Sequence, residues 1–233
     1  MKSENAKPTE VRVYSDAAST MLFDLANPDW GKITPAGFSR ALGGICRYNC
    51  QTPTPTDYVD MFETIHYSVA QHEILCALMA MRLGWADHIV QGSFFHDHAE
   101  FATGDVITPV KNWIPGFKEL EKELEMSYVK ATGNRSINDP SVKDIDYWMY
   151  LAERRYIFNM ELTGEEFHAV PWHAIDPIIP WSQPLASRIH FNVSKVIESL
   201  DDDDPTNNSY AKVYRAVMDA NSQAIWAQRR LED

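Results

Sequence analysis

Apolar residues return at helical spacing along most of the chain. Val69, Cys76, Met79, Ala80 and Leu83 share one face of a segment from Ser68 to Gly84, where the glycine is a stop signal. His72 lies three residues after Val69 and four before Cys76, so it sits in the same buried stripe. A further helix is expected from Ala86 to about Thr103, closed by Gly104. Upstream, Thr34-Pro35 reads as an N-cap followed by proline, opening a helix to about Cys46. "GFKELEKELEMSYVKATG" has the Glu/Lys spacing of an amphipathic helix, and "DPSVKDIDYWMYLAERRYIFNMEL" that of a long one with proline near its start. Two more helices are expected at roughly 181–200 and 206–231. Between them "DDDDPTNN" reads as a solvated linker whose acidic run favours the next helix N-terminus. "QTPTPTDYVD" breaks all periodicity and reads as a loop, and "VRVYSDAASTMLFDL" at 11–25 suggests a short strand pair. The pattern predicts an all-α bundle, a single domain over 1–233, with a short N-terminal strand pair.

Composition narrows the classes of partner. Hydrophobic residues make up 45% of the 233, enough for a sizeable core. No apolar run reaches the length of a membrane span, and "MKSENAKPTEVRVYSD" has no apolar signal core, so no membrane association is expected. Three cysteines fit no disulfide framework and suggest a reducing compartment, so a cytoplasmic protein is expected. A formal charge of −12, with scattered Lys and Arg, repels a polyanion and argues against binding along DNA or RNA. A small anionic ligand stays compatible, because a metal and a few local cations can override the global field.

"SFFHDHAEFATGD" at 93–105 concentrates two histidines, two aspartates and a glutamate in an apolar stretch. Such groups cost free energy there unless something pairs with them. Taken singly, His72, the pair His96-Asp97, and Asp146 are each explained by ordinary hydrogen bonding. Jointly they differ, since three separate predicted helices each present such a group near an apolar face. Two imidazoles and two carboxylates form a mixed ligand set suited to Mn, Fe, Co, Ni or Zn, and less to Ca.

Four blocks then carry a resemblance: "SRALGGICRYN" at 39–49, "YSVAQH" at 67–72, "HDHAEFATGDVITPVK" at 96–111 and "VKDID" at 142–146. In order and spacing they resemble the HD-domain phosphohydrolases, most nearly the bacterial 5′-deoxynucleotidases and related phage nucleotide hydrolases, including dATP triphosphohydrolases. The core motifs span 39–155, and the C-terminal helices at 181–231 contribute nothing to the likeness. The resemblance implies an HD-type helical bundle, a divalent ion (Mn, Co, Mg, Zn, Ni or Fe) and the ligands His72, His96, Asp97 and Asp146. It matches Glu100 to the acid beside the scissile phosphate and Asp105 to the start of a substrate-contacting turn ending at Thr108. It also matches Arg47 to the phosphate-orienting arginine and Tyr48 to the aromatic packed on the deoxyribose. Relatives are commonly homo-oligomers, and a phage-encoded member acts in the host cytoplasm. His98 stands where relatives have a small residue, as an extra ligand or an exposed side chain. Residues 51–64 look like an insertion bordering the pocket.

The chemistry expected is hydrolysis at the 5′ α-phosphate of a free 2′-deoxynucleotide. A divalent ion supplies Lewis acidity and Arg47 grips the phosphate. Lys111 adds a point charge, and Glu100 either orients the water or protonates the leaving oxygen. Arg154 and Arg155 are alternatively further phosphate ligands or a surface pair. Trp148, Tyr150, Tyr156 and Phe158 are expected in the core rather than as base-stacking groups. Two reactions compete: release of the whole triphosphate from a dNTP such as dATP, which the resemblance favours, and release of phosphate from a dNMP. A different class, a catalytically silent HD module that senses a nucleotide, needs neither Glu100, Asp105 nor Arg47.

Overall fold

The protein is described here by a computed structural model covering residues 9–16, 18–51 and 67–176. The expected helices at 181–200 and 206–231, and the 51–64 insertion beyond Gln51, lie outside the described residues. The strand pair is present: β1 (Glu10–Tyr14) runs antiparallel to β2 (Thr20–Asp24), with Val11 opposite Phe23 and Val13 opposite Met21. Among the described residues every helix or strand named after it is a helix, so the fold is all-α with a short N-terminal sheet. α1 (Pro35–Gly44) starts at Thr34, whose side chain accepts from the Gly37 amide. α2 (Val69–Arg82) starts at a capping box in which Ser68 and Gln71 satisfy each other's amides. There follow α3 (Asp87–Phe95), α4 (Glu100–Thr103), α5 (Thr108–Trp113), α6 (Phe117–Thr132), α7 (Pro140–Tyr156), α8 (Gly164–Ala169) and α9 (Trp172–Ile175).

α2 is the central element. From Val69 to Ala80 every residue except Gln71 is buried, which is more than the one-sided stripe predicted. α3 and α7 pack on it and on each other. The approach of α3 to the turn at Arg135–Asn138 and to α7 is close because Gly92 has no side chain: a Cβ there would lie 2.6 Å from the Ser136 carbonyl oxygen and 2.8 Å from Val142 Cγ2 of α7. A second aromatic cluster anchors the sheet: Phe23, Trp30 and Phe101 stack edge-on or tilted, and the Trp30 indole N–H donates to Ser127 Oγ at 2.8 Å.

Two helices differ from expectation. The helix predicted through Thr103 breaks at His96–Ala99, where the amides of His98, Glu100 and Phe101 bond to carbonyls three residues back rather than four. The tighter winding turns His98 into the core while leaving Asp97 on a cavity wall. The long helix expected to 162 ends at Tyr156, and Asn159 at φ +51° redirects the chain.

Gly92→Ala is expected to cost about 1–3 kcal/mol, since backbone rather than a flexible side chain stands in the way. Thermal unfolding of the variant checks this: a Tm several degrees below wild type is expected, and an unchanged Tm would show that α3 is free to move off the 135–138 turn.

Candidate functional site

Three helices meet at the candidate site. α2 presents His72 and, one turn on, Cys76; the end of α3 presents His96 and Asp97; α7 presents Asp146 and, two turns on, Glu153. His72 Nε2 lies 3.3 Å from His96 Nε2 and 3.1 Å from Asp146 Oδ1. Asp146 Oδ1 is 3.6 Å from His96 Nε2, and Asp97 Oδ2 is 3.4 Å from His96 Nε2 and 3.7 Å from His72 Nε2. The four residues that the sequence suggested as ligands therefore converge.

The far side of each imidazole decides what the near side can do. His72 Nδ1 is 2.6 Å from Glu153 Oε1, and His96 Nδ1 is 2.8 Å from the Ser93 carbonyl oxygen. Both acceptors lack hydrogens, so both Nδ1 atoms donate. In the neutral tautomers the two Nε2 atoms then carry bare lone pairs facing each other, which is unfavourable unless a proton or a cation lies between them. With no ion bound the proton is the answer. Burial disfavours the charged form of His96, but Asp97 and Asp146 outweigh it and push its pKa up to about 10. His72 also moves well above its ordinary value: burial and Arg47 oppose this, and Glu153 and Asp146 are among the groups that favour it. Asp146, held by both imidazoles against its own burial, is well below the carboxylate range. Metal-binding histidines characteristically donate their second nitrogen to a carboxylate or carbonyl, as both do here. His72, Cys76 and His96 form a group whose ligand atoms all lie within 4.8 Å of one another and can hold a metal ion.

Arg47 reaches this cluster from a different direction. The Arg47 amide donates to the Tyr67 carbonyl at 2.8 Å and the Val69 amide to the Ile45 carbonyl at 3.1 Å, tying the segment after α1 to the start of α2. The guanidinium then lies 3.1 Å from Asp97 Oδ2 and 3.6 Å from Glu153 Oε2. Its buried Nε has no hydrogen-bond partner among the described residues. Tyr48 and Asn49 follow at φ +57° and +53°, a left-handed conformation that costs non-glycine residues on the order of 1–3 kcal/mol each. Two contacts hold Tyr48 there: its amide donates to Asp105 Oδ2 at 3.3 Å and its hydroxyl to Glu153. Glu153 is the buried hub, also accepting from Tyr67 Oη at 2.5 Å. Burial would raise its pKa, but Arg47, His72 and the Tyr48 hydroxyl hold it down at about 2.

Beside the cluster lies a cavity of about 390 Å³ whose walls include Arg47, Tyr48, Asp97, Glu100, Asp105 and Asp146. Thr108 and Lys111 of α5 and Tyr150 of α7 complete its rim, so each residue proposed to touch substrate lines the cavity. Glu100 is buried and its Oε2 has no partner among the described residues. Burial, with Asp97 and Asp105 nearby, pushes its carboxyl well above the ordinary range, despite Arg47 and Lys111. Lys111 Nζ is 2.6 Å from Glu121 Oε1 and 3.6 Å from Glu100 Oε1.

Several expectations change. His98 is neither exposed nor beside the cluster: it is buried, 2.7 Å from Glu73 Oε1, among Phe38, Phe94 and Phe95. Arg154 and Arg155 follow the surface-pair alternative rather than that of phosphate ligands: Arg154 is paired with Glu166 at 2.5 Å, and Arg155 stacks over Phe167 and Trp172. Tyr150 is exposed at the cavity rim rather than in the core. Glu153 was missed, although it lies seven residues after Asp146, a helical repeat that returns to the same face. Cys76, four after His72, read only as a core thiol.

No family model matches the chain. An 89-residue stretch is 28% identical to Uncharacterized protein YfdR of Escherichia coli (strain K12), covering 38% of this chain and 47% of that protein. The chain thus spans about half the length of the curated relative it matches. No described helix is long and apolar enough to cross a membrane.

The raised His96 gives a pH signature. Its pKa stands above the ordinary 6.5, so its contribution to ion-free stability is complete below about 6.5 and lost as pH rises through about 10. Denaturant unfolding of chelator-treated protein should show stability falling across that window, with a shallower fall for His96→Gln. An equal slope in the variant would remove His96 as the source.

Proposed function

We propose that the chain is a metal-dependent phosphohydrolase acting at the 5′ α-phosphate of free 2′-deoxynucleotides. The observation that carries this reading is the facing pair of Nε2 atoms 3.3 Å apart, beside two carboxylates and opening on a cavity with a half-buried arginine and a buried glutamate whose Oε2 has no partner among the described residues. His72, His96, Asp97 and Asp146 hold the ion. A divalent cation there supplies Lewis acidity, lowering the pKa of water toward ~7 and offsetting charge on a phosphoryl oxygen.

The chain's own groups do the rest. Arg47 and Lys111, both on the cavity wall, offset the phosphate charge. Glu100, whose burial and acidic neighbours raise its pKa and favour the protonated form, is the general acid: water adds to the α-phosphorus and releases a proton to solvent, the P–O5′ bond breaks, and O5′ takes the Glu100 proton, which solvent then replaces. Asp105 holds the Tyr48 amide and, with Thr108, borders the nucleotide. The Tyr48 ring packs on the deoxyribose, where a 2′-hydroxyl would be buried without a partner. A silent nucleotide-sensing module has no use for a buried acid with an open oxygen such as Glu100.

The resemblance to phage dATP triphosphohydrolases favours removal of the whole triphosphate. A second reading, 5′-deoxynucleotidase activity on dNMPs, is favoured by the cations: Arg47 and Lys111 are those described on the cavity wall, while Arg154 and Arg155 are engaged elsewhere. One experiment tests both. Chelator-treated protein, reloaded with Mn, Co or Mg, is given dATP, dAMP, ATP and AMP, and products are separated by chromatography. Metal-dependent release of deoxyadenosine with tripolyphosphate, and little from ATP, is expected. Turnover confined to dAMP would select the monophosphate reading, and full activity without metal or equal turnover of ribonucleotides would contradict the proposal.

A further inference from the structure

Cys76 is fully buried, and its Sγ lies 3.6 Å from His72 Nε2. In a tetrahedral site with metal–nitrogen bonds of ~2.0–2.1 Å and a metal–sulfur bond of ~2.3 Å, the N···N edge is about 3.3–3.4 Å and the N···S edge about 3.5–3.6 Å. The observed His72–His96 separation of 3.3 Å and the His72–Cys76 separation of 3.6 Å match those edges. The thiol is also placed where a ligand is needed. Asp97 and Asp146 line the cavity, whereas Cys76 does not, so it closes the core side and leaves the cavity side open. Asp97 Oδ2 is shared with the Arg47 guanidinium at 3.1 Å, which weakens it as a donor.

We infer that Cys76 is a ligand of the metal centre, binding as a thiolate from the core side with His72 and His96, leaving the fourth, cavity-side position to Asp146 or Asp97 and tuning the site to thiophilic cations. This rests on the reading of His72 and His96 as ligands given above. On coordination the Cys76 S–H proton leaves to solvent as the sulfur–metal bond forms, with no change of oxidation state. A sulfur donor beside two imidazoles favours Zn(II), Co(II) or Fe(II) over Mg(II), whose preferred ligands are oxygens. Cys46 has no comparable position: it pairs its backbone with Ser68 at the α2 entry.

The test is X-ray absorption at the zinc edge on the full chain, stripped and reloaded with Zn(II), with bound zinc measured separately. Wild type is expected to bind stoichiometric zinc with a sulfur scatterer at ~2.3 Å. The doubly substituted Cys46→Ser, Cys50→Ser protein, which leaves Cys76 intact, should keep that scatterer. Cys76→Ser should lose it and leave only nitrogen and oxygen, while still binding zinc. In the Co(II) form the near-ultraviolet sulfur-to-metal charge-transfer band should follow the same pattern. Stoichiometric zinc in wild type with no sulfur scatterer overturns the inference and leaves the metal reading standing. Loss of the scatterer in the double variant assigns the sulfur elsewhere and overturns it too. Failure of wild type to bind zinc or cobalt at all overturns both.

Discussion

Two imidazoles whose Nδ1 atoms both donate hydrogen bonds must turn bare Nε2 atoms to whatever lies opposite, and in this protein they turn them to each other. The 3.3 Å between His72 and His96 is set by groups on three helices, not by either histidine alone. Glu153 of α7 fixes one ring and the Ser93 carbonyl of α3 fixes the other. Positive charge is needed between them, as a proton or as a metal ion. Asp97 and Asp146 supply the negative charge that makes either acceptable in a site this buried.

The packing serves that constraint. α3 can come close to the 135–138 turn and the start of α7 because Gly92 leaves no side chain in the way, and the backbone bonds at Ile45–Arg47 bring Arg47 to the same place. Glu153 joins the two halves of the site. It orients His72, faces Arg47, and accepts from Tyr48 and Tyr67, so the imidazole, the guanidinium and the cavity-wall tyrosine are positioned by one carboxylate. An ionised glutamate so buried costs several kcal/mol unless it is fully paired, and every contact it makes here is one that the site uses. The strained backbone at Tyr48 and Asn49 belongs to the same arrangement, since it lets the Tyr48 hydroxyl reach Glu153 while its amide reaches Asp105.

Much of this was legible along the chain, because helical periodicity and caps are local. The start of α1 at Thr34-Pro35, the cap at Ser68 and the strand pair all lie where short-range rules put them. The convergence of His72, His96, Asp97 and Asp146 was inferred from three apolar faces carrying polar groups and from the family resemblance. What stayed hidden depends on partners distant in sequence. The break at His96–Ala99 accompanies the turn of His98 inward to Glu73, a contact no local pattern signals. Glu153 reads as one of many charges on a long helix until His72 and the two tyrosines are seen around it. Arg154, by contrast, looks available in the sequence and is held by Glu166 in the fold.

The acidic surface fits a site built from specific contacts rather than diffuse attraction. With a formal charge of −12, diffuse attraction for an anion is weak, and Arg47 and Lys111 are cations on the cavity wall. All of this depends on the tautomers of two rings. Nitrogen-15 NMR of the histidine side chains in the zinc-loaded protein reads them directly. Both His72 and His96 should appear protonated at Nδ1, with Nε2 hydrogen-free and shifted by the metal; a proton on Nε2 of either ring would contradict the account.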